Sequence, residues 1–204
     1  MHTGRLVFFM NDTREYIIDK AFDLFLAKSY EAVSISDISN AIGLTKGALY
    51  HHFTSKEELF KAVIDKHLSI VPVEFDYENG SLHDFNEQCV KHAEATLRKI
   101  IIDDTEFVPI NYVSLITDSF RHYKGFAEDK INLMNDEAQK INQLLKKEAE
   151  RGEIRKDIDT ETISMIYVSS LVGLAGPFIE KNPISKMVES LKKQLFEIYK
   201  LLKK

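Results

Sequence analysis

The sequence predicts an all-α protein. An N-terminal three-helix domain with a helix-turn-helix precedes a C-terminal helical bundle, about nine to ten helices in total. Three observations carry this prediction. Apolar residues recur at three- and four-residue spacing along most of the chain, as core-facing helices require. No stretch keeps the two-residue alternation of a half-buried strand. Helix start signals (Ser, Thr or Asp ahead of a periodic run) and stop signals (Gly after one) punctuate the pattern. Hydrophobic residues make up 44% of the 204 positions, enough for a sizeable core.

The first ten residues, Met1–Met10, are expected to form an extension outside the fold, with Met10 as an alternative start. From Thr13 to Lys28, Ile17, Ile18, Ala21, Phe22, Leu24 and Phe25 mark one apolar stripe. Ser34-Ile35-Ser36-Asp37 reads as a capping box, in which Ser34 accepts a free N–H and Asp37 reaches back. The short helix it opens stops at Gly43. Thr45 caps the next, running to His51 or His52, and Ser55-Lys56-Glu57-Glu58 opens a longer helix with Leu59, Phe60, Val63 and Ile64 inward. Pro72 is expected to close it, and Val73–Gly80, with an Asn-Gly and several acids, reads as a boundary loop.

Beyond that loop the predicted helices lengthen. They run over Leu82–Ile102, over Tyr112–Tyr123 after an interruption at Pro109, and over Asn132–Arg151 with Gly152 as its stop. Asp159 caps Thr160–Glu180, which is apolar around much of its girth. Asn182-Pro183 then opens Ile184–Leu202. The organisation expected is 1–10 extension, 11–56 helix-turn-helix domain, 57–72 connecting helix and 73–204 helical bundle, the part to which the family resemblance described below assigns ligand binding and dimerisation.

Charge narrows the function. The net charge of −5 argues against a protein that coats nucleic acid nonspecifically. Yet no Asp or Glu lies between Ile38 and Lys56, so a positive field can exist locally. No apolar run approaches the roughly 18 residues a membrane span needs. With one cysteine, Cys89, and no secretory cleavage site, a cytoplasmic protein without membrane association is expected.

Two short helices around Ala41-Ile42-Gly43-Leu44, packed on a preceding helix, describe a helix-turn-helix. Gly43 supplies the positive φ of the turn. Ile38, Ala41, Leu44 and Leu49 are expected to pin the pair to Phe22 and Phe25. The second helix presents Thr45, Lys46, Gly47, Tyr50 and His51 outward. Gly47 costs about 1 kcal/mol relative to alanine inside a helix, a cost that makes sense where backbone must approach a groove. Tyr50, His51, His52 and Lys56 can donate to phosphates, and Lys46 can reach guanine O6 and N7 or, alternatively, a phosphate.

The run Thr45-Lys46-Gly47-Ala48-Leu49-Tyr50-His51-His52-Phe53-Thr54-Ser55-Lys56-Glu57-Glu58-Leu59, with Ser34-Ile35-Ser36-Asp37-Ile38 through Gly43 before it, closely resembles the DNA-binding signature of the TetR/AcrR family of bacterial transcriptional regulators. The resemblance is specific over residues 13–64. Gly152-Glu153-Ile154-Arg155 with Asp157-Ile158-Asp159 is similar to the link before the penultimate helix of many members. Ser29 stands where the family favours glycine, and Ser39 and Ile42 where it favours alanine. The resemblance implies that Ser36, Lys46, Gly47 and Tyr50 face bases or adjacent phosphates, while Thr45, His51, His52 and Lys56 clamp the backbone. It implies a double-stranded DNA operator, a repressor released by a small-molecule ligand, and a homodimer built by the last two helices.

In the Thr160–Glu180 helix, Ile166, Ser169, Ser170, Gly173 and Leu174 are the candidate dimer face, with small residues permitting close approach. Two recognition helices could then meet the two halves of a pseudo-palindrome. Phe85, Gln88, His92, Tyr112, Phe120, Tyr123 and Tyr167 combine aromatic bulk with polar tips and are the candidate pocket for a small hydrophobic or amphipathic ligand. No cofactor or metal is expected, because His83, His92 and His122 lack metal-ligand spacing. Cys89 and His92 share a helical face, but no oxyanion donor or substrate loop accompanies them, so no enzyme is expected. The readings weighed against a regulator are a DNA-organising helix-turn-helix protein, a helical ligand carrier and an enzyme.

Overall fold

The computed structural model describes residues 3–68, 71–100, 109–173 and 184–204, with residues 3–12, 100, 109 and 110 described by backbone alone. Among the described residues there are nine helices and no strand: α1 (Thr3–Ala27), α2 (Ile35–Ile42), α3 (Lys46–His52), α4 (Lys56–His67), α5 (Leu82–Ile100), α6 (Pro109–His122), α7 (Phe126–Arg151), α8 (Thr160–Val172) and α9 (Ile184–Leu202). They divide into two compact units.

The first unit comprises the chain up to residue 70 together with 110–126. Its core is Ile17, Ile18, Ala21, Phe25, Ile38, Leu49, Phe53, Leu59, Phe60, Val63 and Ile64, all essentially inaccessible. The expected capping box at α2 forms in full: Ser34 Oγ accepts the Asp37 N–H at 3.1 Å, and Asp37 accepts the Ser34 N–H at 2.8 Å. Gly43 ends α2 at φ 71°, ψ 22°. Its own N–H turns to Asn40 O, and the Leu44 N–H bonds Ser39 O at 3.0 Å, a left-handed cap that satisfies two otherwise orphaned carbonyls.

Several boundaries differ from the sequence expectation. Met1–Met10 was expected outside the fold, whereas the α1 backbone is helical from Thr3. Ala41 was expected in the core but is exposed, and Ile42 is buried in its place. Ile42 lies four residues from Ile38, on the same helical face. Pro109 opens α6 instead of interrupting the chain before it, since the first helical position needs no N–H. Helix α7 begins at Phe126, six residues ahead of the expected Asn132. Helix α4 ends at His67, with Leu68 as its cap, well before Pro72. The expected ends of the α5 and α8 runs, and the Asn182-Pro183 start, lie outside the described residues.

The largest departure concerns α6. It was assigned to the C-terminal bundle, but residues 110–126 belong to the first unit. Buried Asp118 accepts the Tyr30 N–H at 2.7 Å, the Tyr112 hydroxyl donates to His67 O at 3.3 Å, and the Tyr123 hydroxyl donates to Asp65 at 2.9 Å.

The second unit contains 71–109 and 127–204. Val73, Leu82, Phe85, Cys89, Ile141, Leu144, Leu145, Ile154, Tyr167, Val168, Leu191, Leu195 and Leu202 fill its interior. Ser81 and Asp84 form a cap at the start of α5, and the buried Glu148 carboxylate accepts the Leu82 N–H at 3.3 Å. Gly152 repeats the left-handed cap of Gly43, at φ 80°. Asp159 caps α8 through the N–H groups of Glu161 and Thr162.

Candidate nucleic-acid interface

Helix α3 has two faces of different chemistry. Leu49 is fully buried, and Phe53, which ends the helix, is 2% exposed. The opposite side carries Lys46, Gly47, Tyr50 and His51 into solvent, with Tyr50 at 50% exposure and His52 half-buried at the edge. Thr45 caps the helix by accepting the Ala48 N–H at 3.1 Å, which leaves its hydroxyl proton free to donate. A Cβ built on Gly47 would meet only Thr45 Oγ1, at 3.9 Å. Nothing among the described residues therefore demands glycine there. Ser36 lies half-buried on α2.

The start of α4 lies beside this face in sequence. Ser55 caps it by accepting the Glu58 N–H at 3.1 Å, and Glu58 turns back to the Thr54 N–H and hydroxyl, both at 2.6 Å. Those bonds hold the Glu58 carboxyl below its ordinary range. The ammonium of Lys56 lies over the Tyr30 ring, 3.9 Å from its centroid. Sequence reasoning missed Arg14, whose guanidinium lies over the Phe53 ring at 4.7 Å. Its only signal was a basic residue early on α1, outside the acid-free window.

The eight candidate DNA contacts thus share one unit, and five of them (Thr45, Lys46, Gly47, Tyr50 and His51) are exposed. The seven candidate pocket residues divide between the two units. Phe85 and Tyr167 are fully buried in the second unit with ring centroids 6.2 Å apart, and Gln88 and His92 are half-buried on α5. Tyr112, Phe120 and Tyr123 belong to the first unit, where both tyrosine hydroxyls are engaged by α4 and its end. Of the candidate dimer face, Ile166, Ser169 and Gly173 are exposed and Ser170 is half-buried, while Leu174 lies outside the described residues. Cys89 is fully buried, and burial pushes its thiol up to about 12, the opposite of an activated nucleophile.

A short helix with a polar outer face, braced across a left-handed glycine turn, defines the helix-turn-helix class of nucleic-acid-binding modules. The sequence model described as "Bacterial regulatory proteins, tetR family" matches residues 17–63. The HTH-type transcriptional repressor ComR of Escherichia coli is 44% identical over 55 residues, which cover 27% of this chain and 26% of ComR. The HTH-type transcriptional regulator AcrR of Shigella flexneri is 27% identical over 177 residues, covering 79% of this chain and 77% of AcrR. Among solved structures, the SmeT–triclosan complex superposes with a TM-score of 0.64 at 17% identity, covering 95% of this chain and 92% of that one. The match to the tetR family of bacterial regulatory proteins therefore falls on the helix-turn-helix segment, residues 17–63.

Proposed function

We propose that this protein is a sequence-specific DNA-binding transcriptional regulator: a cytoplasmic homodimeric repressor released from a pseudo-palindromic operator by a small molecule. The observation that carries the reading is the outer face of α3, where Lys46, Tyr50 and His51 flank a glycine that the chain's own packing does not require. A bare backbone at Gly47 lets the helix approach base edges closely, Lys46 reads a guanine edge, and Thr45, His51, His52 and Lys56 hold phosphates.

Two further observations support the finer parts. On α8, Met165 and Ile166 (each 41% exposed) and Val172 (48%) form an apolar strip that a second copy would cover. In the interior of the second unit, the buried Tyr167 hydroxyl and Asn86 Oδ1 make no hydrogen bond of good geometry among the described residues, although the Asn86 side chain lies within reach of that hydroxyl, and the Tyr167 ring lies 6.2 Å from that of Phe85. An amphipathic molecule with a ring and a hydroxyl could satisfy both, and the triclosan bound by SmeT has that character. Ligand binding lowers operator affinity only through unequal affinity for two states of the chain.

The test is binding to the DNA upstream of the chain's own gene, against scrambled duplexes, over a salt series. Tight, sequence-dependent binding with a steep salt slope is expected. Lys46→Ala should relax preference at one position per half-site, while Lys56→Ala should weaken all sequences alike. Weak binding that is equal for every duplex would instead favour a DNA-organising protein.

A further inference from the structure

Tyr30, at the corner after α1, is 4% exposed yet touches the one candidate phosphate contact on α4. Its ring carries Lys56 Nζ 3.9 Å from the centroid and stacks on the His122 imidazole at 4.2 Å and 20°. Phe60 meets it edge-on at 4.6 Å. Its hydroxyl donates to Glu57 Oε1 at 3.1 Å, and its N–H donates to the buried Asp118 carboxylate at 2.7 Å. Burial, with Glu57 second, raises the phenol far above its ordinary value, so it remains a donor at any physiological pH.

We propose that Tyr30 is a positioning residue for the phosphate contact of Lys56, and that α6 fixes Tyr30 in place through Asp118 and His122. The inference rests on the DNA-binding reading and deepens it. A lysine ammonium on a four-carbon stem is otherwise free to sweep a wide volume, and a ring face under it confines it. Two carboxylates follow Lys56 directly and compete for its charge. Glu57 is engaged by the Tyr30 hydroxyl and Glu58 by Thr54, and among the described residues neither makes an ion pair with the ammonium, although Glu57 is near enough to feel its charge. Tyr30 thus acts twice: its ring holds the cation, and its hydroxyl engages the nearest anion. The remaining partner for Lys56, at the positive end of α4, is an external phosphate.

The experiment measures affinity for a labelled mixed-sequence DNA duplex across a salt series, since a phosphate contact acts on every sequence. Lys56→Ala is expected to lower affinity about tenfold and the salt slope by about one. Tyr30→Leu should reproduce most of that loss and add less than about twofold in a Lys56→Ala background. Tyr30→Phe keeps the ring but frees Glu57; its smaller loss should be restored by Glu57→Gln, which gains more there than in the wild type. Thermal melting monitors folding. Should Tyr30→Leu not fold, the Tyr30→Phe and Glu57→Gln pair alone decides. Losses from Tyr30→Leu and Lys56→Ala that multiply, or equal Glu57→Gln gains in both backgrounds, would overturn the proposal. A wild-type chain without salt-dependent binding would sink the functional reading itself, and the inference with it.

Discussion

Helices α3 and α8 both hold side chains out in water, but the two surfaces are of opposite kind. On α3 the outward residues are Lys46, Tyr50 and His51 around a bare Gly47; on α8 they are Met165, Ile166 and Val172. The first set is well solvated without a partner, and what it gains from one is charge complementarity and groove contact. The second set is apolar, and its exposure is relieved only by association. On the proposed reading, the same chain offers one surface for a polyanion and another for a neighbour of its own kind.

That contrast can be broken from either side. Leu49→Ala, which hollows the support under α3, should cost about 3 kcal/mol, read as a lower melting temperature and denaturation midpoint. Ile166→Lys should leave the fold intact but shift sedimentation from dimer to monomer. Operator affinity should then fall roughly 100-fold, because one reading helix alone meets half a site. A dimeric Ile166→Lys variant would remove α8 from the interface. Ser34→Ala, which opens the cap of α2, should cost about 1 kcal/mol in thermal stability.

The smallest effect is acid dependence. Hydroxyl donors hold four carboxyls below their ordinary values: Ser34 on Asp37, Thr54 on Glu58, Ser81 on Asp84 and Thr162 on Asp159. A depressed acid stabilises the fold while ionised, so this contribution is present at neutral pH and is lost as pH falls below about 4. In the first unit His67, stacked on Phe22 at 4.0 Å, is held low chiefly by burial, so its contribution likewise disappears on acidification. Melting followed against pH should therefore decline earlier for wild type than for His67→Gln.

Local signals were legible in the sequence. Ser34 with Asp37, Gly43, Thr45, Ser55, Gly152 and Asp159 each announced a helix end through chemistry confined to four or five residues. The Ser-x-x-Asp pattern of Ser81 and Asp84 carries the same signal at the start of α5. What lay beyond sequence reach was long-range: Asp118 meets Tyr30 across 88 positions, and no periodicity encodes that pairing. For the candidate site, residue type and spacing identified the outer face of α3. They could not show that Tyr112 of α6 and Tyr123 just beyond it spend their hydroxyls on α4, because aromatic residues with polar tips look alike in a pocket and in a brace.

Gly47 has one more consequence. A methyl group there would meet no obstacle in the free protein, and alanine favours a helix by up to about 1 kcal/mol over glycine. Gly47→Ala should thus give a chain that melts slightly later and binds DNA less well. On the proposed reading, a more robust protein lies one substitution away at this position, at the expense of the complex.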